Sequence, residues 1–488
     1  MEPLVRLVQR HAARQPEKAA VVTSSTTLSY AELWSRTASS AAWLSARGVR
    51  EGSRVLLASE PADPSFVAGY LAIHSLGAAA APLDARAPAA VRKAIEERLR
   101  PALVVAGETL AEMRGASAAL PDRPADLSRA PDEQDVADIL FTTGSSGRPK
   151  GVVLTHRNIG AATANIIAFI GNGPDDRELV TLPLSHSFGL GRLRANLTTG
   201  GTAILPPGLT FPTVALDLLS THRATGLACV PTGAELLLKW GKERLADAGT
   251  TLRYLEIGSA PMRLATKRAL MELLPDTRIC MHYGLTEASR SAFMEFHADA
   301  AHLESIGRPS PNVALRICSD GGEVLPPNRV GRLQVRAETV MREYWQDPEG
   351  TRRAITDGGW LDTGDLGHVD DTGYFYLDAR QEDVINVGGK KVYPATVEAP
   401  AAEFPGVIEC ACVAIADPRG LTGDVPVLYI VEGASGAVDR EALLSHIASR
   451  VERHAVPAEV RVVESLPRTS SGKLLRAALR EQAPQTME

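Results

Sequence analysis

Up to about residue 306 the chain alternates short apolar runs with longer stretches whose apolar residues recur at helical spacing. Each such helix must bury one stripe and each strand must find a sheet, so the alternation leads to a layered α/β architecture. The clearest unit is 28–48: Ser29 opens it, apolar positions follow at helical spacing, and Gly48 closes it, which predicts a capped amphipathic helix. A strand is expected over Arg54–Ala58, a helix through Leu76, and further strand–helix alternation near 100–106, 201–206, 225–240 and 252–258. After about 306 the runs become short and β-rich (ALRIC, GRLQVRA, GYFYLDA), which predicts a small sheet or barrel. Beyond 380, VIECACVAIAD, PVLYIVEG, REALLSHIASRVERH and EVRVVES read as the strands and helix of a further unit. The expected fold is therefore α/β: an N-terminal domain over 1–380, built of layered α/β subdomains plus a small β-subdomain, then a small α+β domain over 381–488. The stretch 108–135, rich in Ala, Pro and Asp, reads as a loose surface connection.

The charge balance removes several classes of partner. Lys plus Arg is 52 and Asp plus Glu is 58, a net charge of −6 over 488 residues, which leaves no broad cationic surface for nucleic acid or an anionic bilayer. No run of about 18 apolar residues is present to span a membrane. The start, MEPLVRLVQRHAARQPEKAA, lacks the apolar core of a signal peptide, so a cytoplasmic location is expected. The five cysteines form no C-x-x-C pair and make an odd count, which suits a reducing compartment. Cys410 and Cys412 alternate in an apolar run and are expected on one buried strand face.

Chemistry is signalled by lysines beside glycines. The chain has nine lysines, and Lys150, Lys390, Lys391 and Lys473 sit in Gly-containing, loop-like segments. The first segment is Thr142-Thr143-Gly144-Ser145-Ser146-Gly147-Arg148-Pro149-Lys150-Gly151, which follows the strand-like ADILF. Hydroxyls and unblocked backbone N–H groups on such a loop can surround phosphate oxygens while a lysine adds a compact positive charge. The spacing is not Gly-x4-Gly-Lys-[Ser/Thr], so the common nucleotide loop is excluded. A flexible surface turn has the same composition.

The segment resembles the signature of the acyl-adenylate-forming superfamily of acyl-CoA synthetases, stand-alone adenylation domains and luciferases, and further motifs of that family follow in order. Gly258-Ser259-Ala260-Pro261-Met262 resembles its adenine-contacting loop. His282-Tyr283-Gly284-Leu285-Thr286-Glu287 resembles the segment that stacks on adenine and supplies a carboxylate near magnesium. Trp360-Leu361-Asp362-Thr363-Gly364-Asp365 and, fifteen positions on, Arg380 resemble the residues that reach the ribose. Leu466-Pro467-Arg468-Thr469-Ser470-Ser471-Gly472-Lys473 resembles the carboxy-terminal signature whose lysine enters the active site during adenylation. The resemblance implies ATP and Mg2+ as cofactors, with Thr142, His186, Glu287 and Lys473 as catalytic residues and Glu287 beside the metal. It assigns Thr143, Gly144, Ser145, Ser146, Gly147, Lys150, Ser259, Ala260, Pro261, His282, Tyr283, Gly284, Thr286, Asp365 and Arg380 to the nucleotide.

The implied reaction is attack of a carboxylate on the α-phosphorus of ATP to give an acyl-AMP and pyrophosphate. Negative charge then gathers on phosphorus and on the leaving group, so cations must converge there. The resemblance also implies transfer of the acyl group to a thiol, coenzyme A or the phosphopantetheine of a separate carrier protein, after the small mobile domain swings about a hinge. The hinge departs from the family pattern: Ala379-Arg380-Gln381-Glu382 stands where Gly-Arg-x-Asp or Gly-Arg-x-Lys is usual, which makes Glu382 the hinge residue and gives Ala379 less backbone freedom than glycine. Gly388, Gly389 and Lys390 resemble the loop that lines the thiol tunnel, and a plain hairpin turn reads the same way. Transfer to an amine or another non-thiol acceptor, or activation of an unusual oxyanion, is the alternative.

Leu182-Pro183-Leu184-Ser185-His186-Ser187-Phe188-Gly189 resembles the wall of the acid pocket, with His186, Ser187 and Gly258 as its lining. Adenylation domains for α-amino acids usually carry an aspartate where Ser187 stands, and serine cannot offset a buried ammonium. The expected substrate is a small-molecule fatty, aryl or other carboxylic acid. Arg192 and Arg194 follow, and are expected to be solvated or bound to backbone carbonyls unless one meets a polar group of the substrate.

Overall fold

The computed structural model describes residues 2–118, 131–143, 149–207, 212–388, 390–417, 423–433, 437–468 and 474–481. By packing, the chain divides into two compact units, Met1–Leu315 with Val335–Leu361 and Arg316–Gln334 with Asp362–Glu488.

Among its described residues the first unit holds a nine-stranded and a six-stranded sheet. The centre of the larger sheet is parallel: Arg278–Tyr283, Tyr254–Ile257, Gly226–Cys229, Arg177–Val180, Thr202–Ile204 and Ala19–Val22 lie side by side. The smaller runs Glu343–Tyr344, Pro149–Thr155, Val136–Thr143, Ala79–Asp84, Arg54–Ser59, Leu103–Val105. Parallel strands covered on both faces are largely apolar, as Arg54–Ser59 is between its two ends, and it is buried in all but its first residue. The helix expected after Ser29 spans Tyr30–Ala46, and Ser29 and Glu32 form a reciprocal capping box. Thr155 and Asn158 do the same for His156–Ile170, the helix that follows the phosphate-loop hairpin. Pro64–Ser75 is buried on every side, as an all-round apolar helix must be.

One expectation is overturned. The start of the presumed loose connection 108–135 is the α-helix Glu108–Ala118, which buries Leu110 and Met113; its apolar positions outweighed the low-complexity look of the whole stretch. Residues 119–130 lie outside the described residues.

A four-stranded sheet, most of whose residues belong to the second unit, runs Val313–Cys318, Gly331–Ala337, Leu361–Val369, Phe375–Arg380, so the ALRIC, GRLQVRA and GYFYLDA runs are strands of one small sheet. Val407–Ala416, Asp424–Glu432 and Glu459–Val462 form a three-stranded sheet. Its core gathers Ile385, Val397, Cys412, Leu428, Ile430 and Leu443. Burial pushes the Cys410 thiol up to about 12 and holds the Cys412 thiol high as well, so both are inert apolar groups. By packing, the second unit begins at Arg316 and Asp362, whereas the boundary expected at 380 rests on the change of pattern along the chain.

Candidate active site

The phosphate-loop segment closes a hairpin. Val136–Thr143 and Pro149–Thr155 are antiparallel, with Thr142 opposite Lys150 and Thr143 opposite Pro149, so both ends of the loop are held by a ladder. Gly144, Ser145, Ser146 and Gly147 lie outside the described residues, as does the side chain of Thr143. The other neighbour of Pro149–Thr155 is the short strand Glu343–Tyr344, with Tyr344 opposite Val152. That register puts the Lys150 ammonium 5.4 Å from the Tyr344 ring centroid. The Tyr344 hydroxyl donates to Glu287 Oε1 at 2.9 Å, and the Met341 N–H donates to the Glu287 carbonyl at 2.7 Å. Lys150 and Glu287, 137 positions apart in the chain, thus meet on one tyrosine. Burial, then the Glu287 charge, raises the Tyr344 hydroxyl far above its ordinary value, so it stays a donor.

The remaining motifs of this unit emerge at one edge of the nine-stranded sheet. Arg177–Val180, Gly226–Cys229, Tyr254–Ile257 and Arg278–Tyr283 are parallel neighbours in register, so the segments after them share the carboxyl edge, where open α/β sheets bind ligands. There the 182–189 segment, Gly258–Met262 and Gly284–Glu287 lie together. Ser259 and Ala260 are half-buried and Pro261 is exposed. Ser259 has φ +77°, a left-handed conformation that a non-glycine residue holds only under constraint. Tyr283 is buried, and Gly284, Thr286 and Glu287 are half-buried. His186 precedes the helix Ser187–Thr199 as its N-cap residue.

Beneath this edge lies a buried ionic cluster that corrects the expectation for Arg192 and Arg194: neither is solvated, and their salt-bridge partners are carboxylates. Arg192 is fully buried; its Nε donates to Glu178 Oε1 at 2.6 Å, and its Nη1 lies 2.9 Å from Glu256 Oε2. Arg194 turns the other way, ion-paired to Asp138, with its Nε donating to the Tyr70 hydroxyl at 3.0 Å. Two positions apart on a helix, their side chains diverge, so one ties the helix to the nine-stranded sheet and the other to the strand leading into the phosphate loop. Arg290 joins the cluster, with Nε 3.3 Å from Glu256 Oε1 and with Nη1 and Nη2 donating to the Ser187 and Phe188 carbonyls at 3.2 Å. The His282 ring is also held here, Nδ1 2.7 Å from Glu256 Oε1. Burial first, and then the Arg290 charge, keeps this imidazole below its ordinary pKa and neutral. Burial opposes the charge of Glu256, yet Arg290, Arg192 and His282 hold its carboxyl far below the usual range.

In the second unit the expected ribose pair meets. Asp365 and Arg380 are directly opposite in the antiparallel ladder, with Arg380 Nε 2.7 Å from Asp365 Oδ1. Ala379 pairs with Leu366 in the same ladder and is absent from the residues at positive φ, so this strand asks for no glycine there. Glu382 is exposed in a single turn, Gln381–Asp383, and its carbonyl accepts from Arg480 at 3.3 Å. Gly388, at φ +56°, turns the hairpin Ile385–Val387 to Lys390–Val392, and Lys390 is exposed. Gly389 and Thr469–Lys473 lie outside the described residues.

Sequence reading missed Tyr344, Glu178, Glu256, Asp138 and Arg290. Glu256 in YLEI and Asp138 in ADILF did carry a signal, since an acid inside an apolar strand needs a buried partner.

The model of the AMP-binding enzyme family matches residues 8–345, and that of the AMP-binding enzyme C-terminal domain matches 396–473. A feruloyl-CoA synthase of Amycolatopsis sp is 33% identical over 486 residues, covering 96% of this chain and 97% of that protein. ATP-bound MatB from Rhodopseudomonas palustris superposes with a TM-score of 0.88 at 27% identity, covering 99% of both chains. The amide bond synthetase McbA from Marinactinospora thermotolerans gives 0.87 at 26% identity over 98% of this chain and 99% of that one. No described helix is long and apolar enough to cross a membrane.

Proposed function

The chain belongs to the AMP-binding enzyme family, and from that premise we propose how its own residues divide the work. It is an AMP-forming acid–thiol ligase, which uses ATP to turn a carboxylic acid into an acyl-AMP, releases pyrophosphate and passes the acyl group to a thiol. The observation that carries the assignment of roles is the meeting of Lys150, Tyr344 and Glu287 at the foot of the phosphate loop. A cation, a phenolic donor and a carboxylate on one rigid corner suit a metal-bound triphosphate.

Glu287 supplies the hard oxygen ligand that Mg2+ prefers, and a single carboxylate suffices because Mg2+ completes its shell with water and phosphate oxygens. The ion, when bound, neutralises phosphate charge. Lys150 and the loop from Thr142 through Thr143, Gly144, Ser145, Ser146 and Gly147 hold the departing pyrophosphate. Ser259, Ala260, Pro261, Tyr283, Gly284 and Thr286 border the adenine; Asp365 accepts from the ribose hydroxyls, with Arg380 beside it. Lys473 meets the charge that develops around the α-phosphate. Rotation centred on Glu382 and passage of a thiol by Gly388, Gly389 and Lys390 belong to the second half-reaction.

His186, Ser187 and Gly258 border the acid. An α-amino acid is disfavoured on two grounds: Ser187 carries no charge, and the guanidinium that binds its carbonyl is Arg290, so an ammonium would approach a cation. A fatty or aryl acid meets no such conflict. Coenzyme A is the proposed acceptor, in line with the CoA-forming relative, and a separate carrier's phosphopantetheine offers the same thiol. The likeness to an amide bond synthetase supports a second reading, an amine acceptor.

Carboxylate-dependent exchange of labelled pyrophosphate into ATP tests the first half-reaction across an acid panel, and product mass spectrometry with coenzyme A, an amine or neither distinguishes the acceptors. Absence of exchange with every acid refutes the adenylation reading. A finer expectation concerns Tyr344→Phe, which keeps the ring under Lys150 but removes the hydrogen bond that orients Glu287. The Mg2+ concentration for half-maximal exchange should rise about 10-fold or more, with the KM for the acid little changed. An unaltered Mg2+ titration excludes the tyrosine from metal positioning.

A further inference from the structure

We propose that Asp383, the last residue of the turn after Arg380, is a positioning residue for Lys473: it clamps the C-terminal helix Arg476–Glu481 to the hinge turn, so that turn and helix move as one piece. The inference rests on the reading of Lys473 as the cation of adenylation, and every residue that carries it lies in the second unit.

The helix begins three positions after Lys473 and has six residues. So short a helix is not stable by itself, and what it touches sets its place. Leu479 is fully buried in one core with Val413, Tyr429 and Leu466, and its carbonyl accepts from the Tyr429 hydroxyl at 2.9 Å. Arg476 and Arg480 stand four positions apart and so share a face of the helix. Both reach one carboxylate: Arg476 Nε lies 3.3 Å from Asp383 Oδ2, and Arg480 Nη2 lies 2.7 Å from Asp383 Oδ1.

Arg476 is itself fixed from a second side. Its Nη1 and Nη2 donate to the two oxygens of Glu398 at 2.6 and 3.1 Å, and Nη1 also donates to the Cys412 carbonyl at 3.2 Å. A guanidinium bound as a fork in this way has little freedom left, so Asp383 is tied to the body of the unit and not to a loose side chain. Arg480 Nη2 also donates to the Glu382 carbonyl at 3.3 Å. One guanidinium thus holds the carbonyl of Glu382 and the carboxylate of Asp383, which leaves rotation to the bonds that precede that carbonyl.

The helix is joined in turn to both flanks of the lysine segment. Leu475 N–H donates to the Pro467 carbonyl at 2.8 Å, and Arg468 pairs with Leu474 in an antiparallel bridge. Releasing Asp383 therefore frees the helix on which those flanks depend, and a displacement of about 1 Å at a reacting group costs about 10²-fold in rate.

The test is single-turnover acyl-AMP formation with the acid that wild type exchanges fastest. Asp383→Asn keeps the size of the side chain and removes its charge. Its rate constant should fall about tenfold or more, with the KM values for ATP and for the acid within about twofold of wild type, and Asp383→Glu should recover part of the rate. In the Lys473→Ala background the same substitution should slow the reaction less than about twofold, because a residue that acts through the ammonium has nothing to position once it is gone. Arg480→Gln removes one arm of the clamp and leaves Arg476 on Asp383. It should give a smaller loss with the same dependence on Lys473, and should add little to Asp383→Asn.

A silent Asp383→Asn, a loss that comes with a raised KM for ATP, or a loss that multiplies with that of Lys473→Ala makes the clamp a structural contact only and overturns the proposal. If wild type adenylates no acid, or Lys473→Ala adenylates at full rate, the reading of the lysine fails and takes this inference with it; a slow Lys473→Ala together with a multiplying Asp383→Asn refutes this inference alone.

Discussion

Lys473→Ala is expected to slow acyl-AMP formation about 10²–10³-fold, the loss typical for removing one preorganised donor at a developing oxyanion, while leaving thioester formation from pre-made acyl-AMP within a few-fold of wild type. The asymmetry follows from when charge appears. The carboxylate and ATP are both anionic before reaction, but additional charge gathers on the α-phosphate only as the new P–O bond forms. An ammonium used chiefly at that moment raises kcat with little effect on either KM. In the second half-reaction a thiol attacks the acyl carbon and AMP departs, so a cation aimed at phosphorus has less to do. Single-turnover formation of acyl-AMP and, separately, consumption of synthetic acyl-AMP with coenzyme A measure the two steps. Full adenylation by Lys473→Ala removes the lysine from the reaction; equal loss in both steps assigns it to folding or to AMP binding. Lys473→Arg should recover part of the rate, because guanidinium keeps the charge but not the compact shape.

How much of this was legible in the chain depended on the range of the interaction. Local signals read well: Ser29 announced a capped helix, and the helix Tyr30–Ala46 begins directly after it. Runs such as RVLLA and ECACVAIA are strands because their apolar pattern has no helical period to compete with it. Asp365 and Arg380 stood out by resemblance as residues that reach the ribose, and an antiparallel ladder brings them face to face. Tyr344 was not legible, since its role depends on a two-residue strand pairing with Pro149–Thr155 from far along the chain, and nothing near EYW marks that partner. Arg192 and Arg194 were misjudged for a similar reason. On a helix in isolation an arginine belongs in solvent, and only the acids planted in three separate strands, Asp138, Glu178 and Glu256, make burial tolerable. The division by packing shows the same limit: Arg316–Gln334 joins residues beyond Asp362 through sheet pairing, which order along the chain does not reveal.

Arg192→Met should destabilise the first unit by about 3–5 kcal/mol, the usual cost of breaking a buried ion pair from one side. Methionine fills much of the volume, so the loss is electrostatic rather than a cavity. Glu178 keeps the Tyr254 hydroxyl at 2.7 Å and Asn196 Nδ2 at 2.8 Å, and Glu256 keeps Arg290 and His282, but two carboxylates with no exposed surface then share one guanidinium where they had two. All five tryptophans, Trp34, Trp43, Trp240, Trp345 and Trp360, lie in the first unit, so denaturant unfolding followed by tryptophan fluorescence reports on it selectively. Adding Glu178→Gln should recover part of the loss, because it removes the charge left over while keeping a hydrogen-bond acceptor. The pH dependence has a definite sign. In the intact protein the carboxyl of Glu256 is held below its unfolded value, so its contribution is complete above the ordinary glutamate pKa and fades as pH falls toward the lowered value. In Arg192→Met the same carboxyl loses that support and protonates more easily. The stability gap between the two proteins should therefore be widest near neutrality and narrow below about pH 4; a gap that is small at pH 7, or constant with pH, would mean that the arginine contributes packing and little charge.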